Sequence, residues 1–158
     1  MKIGIDYHGV INSNPDFFKK FNALALKNKH SIVVLSGGSA KDVKAYLNAH
    51  QISFSDVYSL VDDFSARGLA QFYEDGSFFV NNELWNRAKA KYCFEHHVDV
   101  HIDDSMVYGA YFQTPFCLYT PKPERCTFIK KNIEVDFNQS PVKVLQNLEK
   151  SVQKISSK

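Results

Sequence analysis

Three strand-like runs, each ending in a polar side chain, constrain the fold of this chain more than any other feature. The runs and the residues that end them are 3–5 with Asp6, 32–35 with Ser36, and 98–102 with Asp103 and Asp104. Buried parallel strands bring the residues at their carboxyl ends to one edge of a sheet, where α/β proteins place their sites. The sequence therefore predicts a functional site made from these four side chains at one sheet edge.

Helical patterns alternate with these runs along the chain. Helices are predicted over residues 15–28, 40–50, 83–95 and 141–155, further strands over 57–61 and 116–119, and a short hairpin within 62–82, while 124–139 fit neither pattern. Strand–helix alternation implies right-handed crossovers between parallel strands. The predicted fold class is therefore α/β, with a doubly wound, mainly parallel sheet in three α/β/α layers.

The length and composition favour one domain with an ordinary core. We expect a single domain over residues 1–158, with a core over about 2–120 and a C-terminal extension that carries the last helix. The net charge is +2 and the lysines are scattered, so a nucleic-acid partner is not expected. Three cysteines without a C-x-x-C spacing indicate reduced, buried thiols rather than a disulfide framework or a zinc site.

The chain also lacks the sequence signals of export and membrane insertion. No apolar run approaches the roughly 20 residues of a membrane span. The first strand-like run begins at residue 2, which leaves no room for a signal peptide. We therefore expect a cytoplasmic protein with no membrane partner.

Four motifs in this order resemble the haloacid dehalogenase-like (HAD) superfamily, most of whose members are phosphohydrolases. They are residues 6–10 (Asp-Tyr-His-Gly-Val), the apolar strand that ends at Ser36, a helix lysine (Lys89, with Lys91 as the second candidate), and the strand that ends at Asp103 and Asp104. The family forms of the first and last motifs are Asp-x-Asp-Gly-Thr/Val and an apolar strand with terminal acidic residues. The resemblance covers about residues 2–120 and implies a HAD-like Rossmannoid core.

The resemblance implies a Mg²⁺-dependent phosphohydrolase that cleaves phosphomonoesters through an aspartyl-phosphate on Asp6. The Mg²⁺ ligands it implies are oxygens, which suit this hard cation. They are a carboxylate oxygen of Asp6, the main-chain carbonyl of His8, and Asp103 or Asp104. Asp104 is favoured, because the second acid of the pair sits more often at the metal in the family.

The phosphate-binding residues follow from the same resemblance. Ser36 would hydrogen-bond the phosphoryl oxygens, and Lys89 would neutralise charge on the nucleophile and on the phosphate. Gly37 and Gly38 have no side chains, so backbone amides can approach a phosphate closely near the start of the next helix.

His8 departs from the family pattern, which has a second aspartate here that protonates the leaving group and then activates water. Imidazole has an ordinary pKa near ~6.5 and can do both. Three outcomes stay open: a phosphatase that uses His8 as acid and base, an enzyme slow on alkyl esters but competent on aryl or acyl phosphates, or a catalytically impaired phosphate- or nucleotide-binding module. Dehalogenases of the family work without Mg²⁺, so the terminal acidic pair favours a phosphatase. The other histidines, including His101, are expected at the surface or at strand edges.

The segments between the motifs are too short for a large cap domain. The resemblance then implies a capless protein, which acts on large or exposed phosphorylated substrates or closes its site by forming an oligomer. The aromatic residues 72–79 are either a flap that contacts a substrate or a partner subunit, or a hairpin at the sheet edge that packs on the core.

Overall fold

The computed structural model describes residues 1–157 of the chain. The strands are β1 (Lys2–Asp6), β2 (Ser31–Ser36), β3 (Asp56–Ser59), β4 (Ala70–Phe72), β5 (Phe78–Val80), β6 (Val100–Asp103), β7 (Phe116–Pro121), β8 (Glu124–Phe128) and β9 (Ile133–Asp136). The helices are α1 (Pro15–Lys27), α2 (Ala40–Ala49), α3 (Leu60–Ala66), α4 (Asn82–Glu95), α5 (Met106–Gly109) and α6 (Pro141–Ser156). No helix within this part of the chain is both long and apolar enough to cross a membrane.

Seven of these strands form one sheet in the order β3-β2-β1-β6-β7-β8-β9. The pairs from β3 to β7 are parallel, and β8 and β9 add an antiparallel edge. The predicted α/β class with a mainly parallel sheet is confirmed. The chain builds outward from β1 to β3 and then returns to the other side of β1 with β6. The carboxyl ends of β1 and β6 therefore border the crevice in which such sheets bind ligands.

Helices cover both faces of the sheet. Ile32 and Val34 of β2 join a core with α1, α2 and α6, whereas Val33 and Leu35 join a second core with α4. Successive residues of a strand point to opposite faces, which is why a strand buried on both sides is apolar throughout. The first core is rich in aromatic residues, among which Phe18 is fully buried.

The third strand is shorter than predicted. The apolar run 57–61 was expected to be extended, but β3 ends at Ser59 and Leu60 begins α3. The Ser59 side chain caps this helix by accepting a hydrogen bond from the Asp62 N–H at 3.1 Å. A serine followed three residues later by an acid is a helix start signal, and here it outweighs the apolar run.

The predicted hairpin occupies only part of residues 62–82. Its strands, β4 and β5, form a separate two-stranded antiparallel sheet, and residues 62–66 belong to α3. The hairpin is therefore not an edge of the main sheet. Phe78 packs against Trp85 of α4 with ring centroids 5.8 Å apart, while Phe72, Tyr73 and Phe79 stay exposed.

Residues after 120 complete the main sheet and the helical layer on one of its faces. The segment 124–139, which fitted neither pattern, forms β8 and β9 of the main sheet. Helix α6 buries Val144, Leu148 and Val152 in the core it shares with α1, so its apolar face covers the sheet.

Replacing a core phenylalanine tests this packing. We expect Phe18→Ala to lower the free energy of unfolding by about 3–5 kcal/mol, because it removes a fully buried ring and leaves a cavity. Phe94→Ala, at a ring that is 61% exposed, should change it by less than about 0.5 kcal/mol. Urea denaturation of both variants measures the difference, and equal losses would contradict the assigned core.

Candidate functional site

Strands β1, β2 and β6 end together at one edge of the sheet. In the parallel register Asp6 lies opposite Leu35, one residue before Ser36, and β6 runs beside β1 on the other side. Asp6 and Asp103 therefore end neighbouring strands. The structure thus brings the polar ends of all three predicted strands to one edge.

Lys89 connects the two buried carboxylates at this edge. Its Nζ donates to Asp6 Oδ1 and to Asp103 Oδ2, both at 2.7 Å. Lys89 is only 2% exposed, and an ammonium so buried is tolerated only when it is paired. Lys91, the second candidate for this role, is instead exposed on α4, with its Nζ 3.8 Å from Glu95.

Asp103 is surrounded by hydrogen-bond donors. Its Oδ2 accepts from Lys89 and from the Nε2–H of His101 at 3.0 Å, and its Oδ1 accepts from the Ser105 N–H at 3.0 Å. A carboxylate offers about four acceptor positions, so three are taken by the protein. Asp103 is thus placed to fix Lys89 and has little capacity left for another ligand.

His101 is not at the surface or at a strand edge, as the sequence pattern predicted. It is fully buried, and its ring stacks on Phe112 with centroids 4.9 Å apart. Burial lowers the pKa of His101 despite the hydrogen bond to Asp103, so the ring is neutral and donates through Nε2. Gly4 provides the space, because a Cβ there would lie 2.8 Å from His101 Nδ1.

The charges of the cluster oppose one another. Burial raises the pKa of Asp6 to about 7. The positive charge of Lys89 lowers this pKa, whereas the negative charges of Asp103 and Asp104 raise it further. Burial would lower the pKa of Lys89, but the two carboxylates outweigh it and raise that pKa above its usual value. Lys89 is therefore an ammonium at neutral pH.

Asp104 completes a group of three acids. One carboxylate oxygen from each of Asp6, Asp103 and Asp104 lies within 4.8 Å of the others. Asp104 is exposed at the cavity, and Gly9 makes room for it, since a Cβ on Gly9 would collide with its carboxylate. Three carboxylates face a single ammonium here, so a bound cation would relieve the excess negative charge.

The loop after β2 is fixed by two serines. Ser36 Oγ accepts from the Gly38 N–H at 3.1 Å, and Ser59 Oγ donates to the Gly38 carbonyl at 2.7 Å. Ser36 is fully buried, whereas Gly37 lines the cavity above the cluster. The Gly38 amide is thus already used, and Gly37 is the loop residue that borders the open space.

His8 lies at the exposed side of the cavity. Its ring packs edge-on against Tyr7 with centroids 4.5 Å apart, and its Cε1 would be 3.7 Å from a Cβ on Gly38. The residue therefore sits between the first motif and the loop after β2, and it faces the cavity together with Asp6 and Asp104.

The cavity has a volume of about 350 Å³ and includes two aromatic residues that the sequence analysis did not identify. Trp85 and Tyr108 line it, and Lys89 Nζ lies 4.5 Å from the centroid of the Tyr108 ring. Trp85 could have been found, because residues four apart share one face of a helix and Lys89 follows it at that spacing. Tyr108 comes from the four-residue α5, which has no periodic signal.

A larger groove of about 730 Å³ lies between α3 and α4. Its cations are paired along their own helices, Arg67 with Asp63 at 3.0 Å, Arg87 with Glu83 at 2.7 Å and Lys91 with Glu95 at 3.8 Å. Of the predicted site residues only Lys91, the second candidate for the motif lysine, lines it, whereas Asp6, His8, Gly37, Lys89 and Asp104 line the smaller cavity, which is therefore the candidate functional site.

Comparisons with known proteins add no assignment. No protein-family model matches this chain, and no curated protein matches it in sequence.

Removing the buried ammonium tests the electrostatics of the cluster. We expect Lys89→Met to lower the free energy of unfolding by about 3–5 kcal/mol at pH 8, because two buried carboxylates lose their cation. The loss should shrink at pH 5.5. In the natural protein burial raises the pKa of Asp6 to about 7 although Lys89 lowers it. Without Lys89 that pKa rises further, so the variant gains more folded-state stability from protonation of Asp6 as the pH falls from 8 to 5.5.

Lys91→Met is the matched control, because it removes the same charge from an exposed position of the same helix. It should change the free energy of unfolding by less than about 0.5 kcal/mol at either pH. Urea denaturation of both variants at the two pH values measures this. A pH-independent loss in Lys89→Met would contradict the assigned ion pairs.

Proposed function

We propose that this protein is a Mg²⁺-dependent phosphohydrolase of the HAD type, which cleaves phosphomonoesters through an aspartyl-phosphate on Asp6. The observation that carries the proposal is the buried bridge from Lys89 to Asp6 and Asp103, at 2.7 Å each, beside the exposed Asp104. Phosphoryl transfer depends mainly on positioning and on positive charge near the phosphoryl oxygens. A carboxylate next to a fixed ammonium, at the open end of a parallel sheet, meets both needs.

The residues fit a divalent cation with oxygen ligands. Asp6 and Asp104 would hold Mg²⁺, together with the main-chain carbonyl of His8, while Asp103 is occupied by its own donors. When bound, the ion supplies positive charge that lets a phosphate dianion approach the acidic cluster.

The chain's own residues account for the proton and bond changes. A carboxylate oxygen of Asp6 attacks phosphorus, the P–O bond to the leaving group breaks, and the leaving oxygen takes a proton from His8. Water then attacks the phosphorus, gives a proton to His8, and releases inorganic phosphate as the bond to Asp6 breaks. Ser36 is buried below the cavity and holds the loop after β2 through the Gly38 amide, so Gly37 is the residue of this loop that would lie against a phosphoryl oxygen.

Magnesium binding is the first test. We expect Mg²⁺ at about ten times its Kd to add about 1.4 kcal/mol to the free energy of unfolding, which raises Tm by about 3–6 °C for a chain of this length. Asp104→Asn should lose most of this shift, since it removes an exposed carboxylate of the acidic group.

Glu74→Gln is the control, because it removes one negative charge from the exposed hairpin turn. It should keep the full Mg²⁺ shift. Differential scanning calorimetry with and without Mg²⁺ gives the comparison. A shift that survives in Asp104→Asn would place the ion elsewhere.

Oxygen exchange tests the covalent step without knowledge of the substrate. Reversal of the second step joins phosphate to Asp6 and expels water, so ¹⁸O-labelled inorganic phosphate should lose its label to solvent in the presence of Mg²⁺. We expect measurable exchange with the natural protein and none with the Asp6→Asn variant. Mass spectrometry of the phosphate measures the loss of label.

The His8→Asp variant separates the two functional alternatives. It restores the carboxylate of the family pattern, and we expect its exchange rate to peak at lower pH than that of the natural protein, because a carboxyl titrates below an imidazole. Phosphate binding without exchange in the natural protein, with exchange in His8→Asp, would identify a binding module. Absence of exchange in both would refute the hydrolase.

A further inference from the structure

Two aromatic rings line the candidate cavity together with Lys89. Trp85 lies one helical turn before Lys89 on α4, and the Tyr108 ring lies 4.5 Å from Lys89 Nζ. The same cavity is lined by charged groups, including Asp6 and Asp104. The space therefore combines charged and aromatic walls.

The Trp85 ring is held in position from several sides. It packs edge-on against Phe64 of α3 with ring centroids 5.2 Å apart, and at a tilt of 45° against Phe78 of the hairpin with centroids 5.8 Å apart. Its Cζ2 lies 3.1 Å from the place where a Cβ on Gly37 would be. The ring thus closes one side of the cavity, and the absence of a side chain on Gly37 permits this approach.

Exposed apolar side chains accompany both rings. Phe78, which contacts Trp85, is 38% exposed, and Met106 and Val107, which precede Tyr108, are 48% and 57% exposed. Exposed apolar side chains thus contact one of the two rings and precede the other along the chain. A ligand that fits has a compact anionic end and a flat apolar end.

We propose that the site selects phosphomonoesters whose leaving group is an aromatic ring, which lies between Trp85 and Tyr108, with Trp85 as the specificity-determining residue. This inference rests on the proposed phosphohydrolase function and names its substrate class. Aromatic rings stack in offset or edge-on arrangements with other rings, and the two fixed side chains offer such partners close to Lys89.

The chemistry of the step agrees with this class of leaving group. The Asp6 oxygen bonds to phosphorus, and the aryl oxygen leaves with the electron pair of the P–O bond and takes up one proton. A phenol, the acid formed from an aryl oxide, has a pKa of ~10. Water, the acid formed from hydroxide, has a pKa of ~15.7, and an alkoxide resembles hydroxide in basicity. An aryl oxide therefore depends less on the proton donor than an alkoxide does, and the residue at the donor position is the exposed His8.

The distance along α4 favours a ring attached directly to the phosphate. One helical turn of about 5.4 Å separates Trp85 from Lys89. In a nucleoside monophosphate a sugar lies between the phosphate and the base, which would carry the base past the two rings. Aryl phosphates and nucleoside monophosphates both carry a flat ring that stacks on aromatic side chains, so the test compares the binding of the two classes directly.

The experiment uses two anions that cannot be hydrolysed, phenylphosphonate and methylphosphonate, with the full chain and Mg²⁺ in a titration calorimeter. We expect phenylphosphonate to bind about tenfold more tightly, because only its ring can stack on Trp85 and Tyr108. Trp85 is the only tryptophan of the chain, so its fluorescence should also respond to phenylphosphonate far more than to methylphosphonate.

Variants assign the preference to Trp85. Trp85→Leu should bring the affinity ratio of the two phosphonates to within about twofold, and Trp85→Phe should keep most of it, since a phenyl ring still stacks. Phe94→Ala, at an exposed ring near the other end of the same helix, should leave the ratio unchanged. Circular dichroism confirms that each variant is folded.

The outcomes separate this inference from the function on which it rests. Equal affinity of the natural protein for the two phosphonates overturns the inference. The inference is also overturned if the Asp6→Asn variant binds adenosine 5′-monophosphate more tightly than phenyl phosphate. If ¹⁸O exchange occurs in either case, the phosphohydrolase stands and only the substrate class is wrong. If neither phosphonate binds and exchange is also absent, both proposals fail.

Discussion

The buried ammonium of Lys89 is the interaction on which the rest of the site depends. Without it, the carboxylates of Asp6 and Asp103 would lie at the sheet edge with no protein cation between them. Two buried charges without a cation cost several kcal/mol, so the ammonium stabilises the strand ends where the parallel register places them. The same burial that requires the ion pair also raises the pKa of Asp6. Burial thus governs both the stability of this edge and the protonation of Asp6.

Helix α4 makes this contact possible and also shapes the space above it. The helix packs on the sheet through Lys89 and through Ala90, which shares a core with Val33 and Leu35 of β2, while Ala88 packs against α3. The same face carries Trp85 one turn earlier, where it contacts α3, the hairpin and the loop after β2. A change in the position of α4 would move the ammonium and the aromatic wall together. In the proposed function, charge neutralisation and leaving-group selection thus share one rigid element.

The sequence predicted the residues at the strand ends well because their positions follow from strand period and chain order alone. It did not predict the burial of His101, since an alternating Val-His-Ile pattern is equally typical of a half-exposed strand. The signal lay on the neighbouring strand, where Gly4 interrupts an apolar run and leaves room for a ring. The start of α3 at Leu60 was missed because a short apolar run does not distinguish a strand from the first turn of a helix. Such contacts between strands and helices are not periodic, so only the folded structure shows them.

Asp103 and Asp104 are consecutive, and the strand geometry gives them different environments. Successive residues at the end of a strand point in opposite directions, so Asp103 faces Lys89 and His101 while Asp104 faces the cavity. The first acid fixes the buried ammonium, and the second adds negative charge where solvent and ligands have access. One ammonium cannot balance three carboxylates, and His101 is kept neutral by burial. The chain thus leaves an excess of negative charge at the exposed end of the cluster. In the proposed function a divalent cation offsets that excess, and only then can a phosphate reach Asp6.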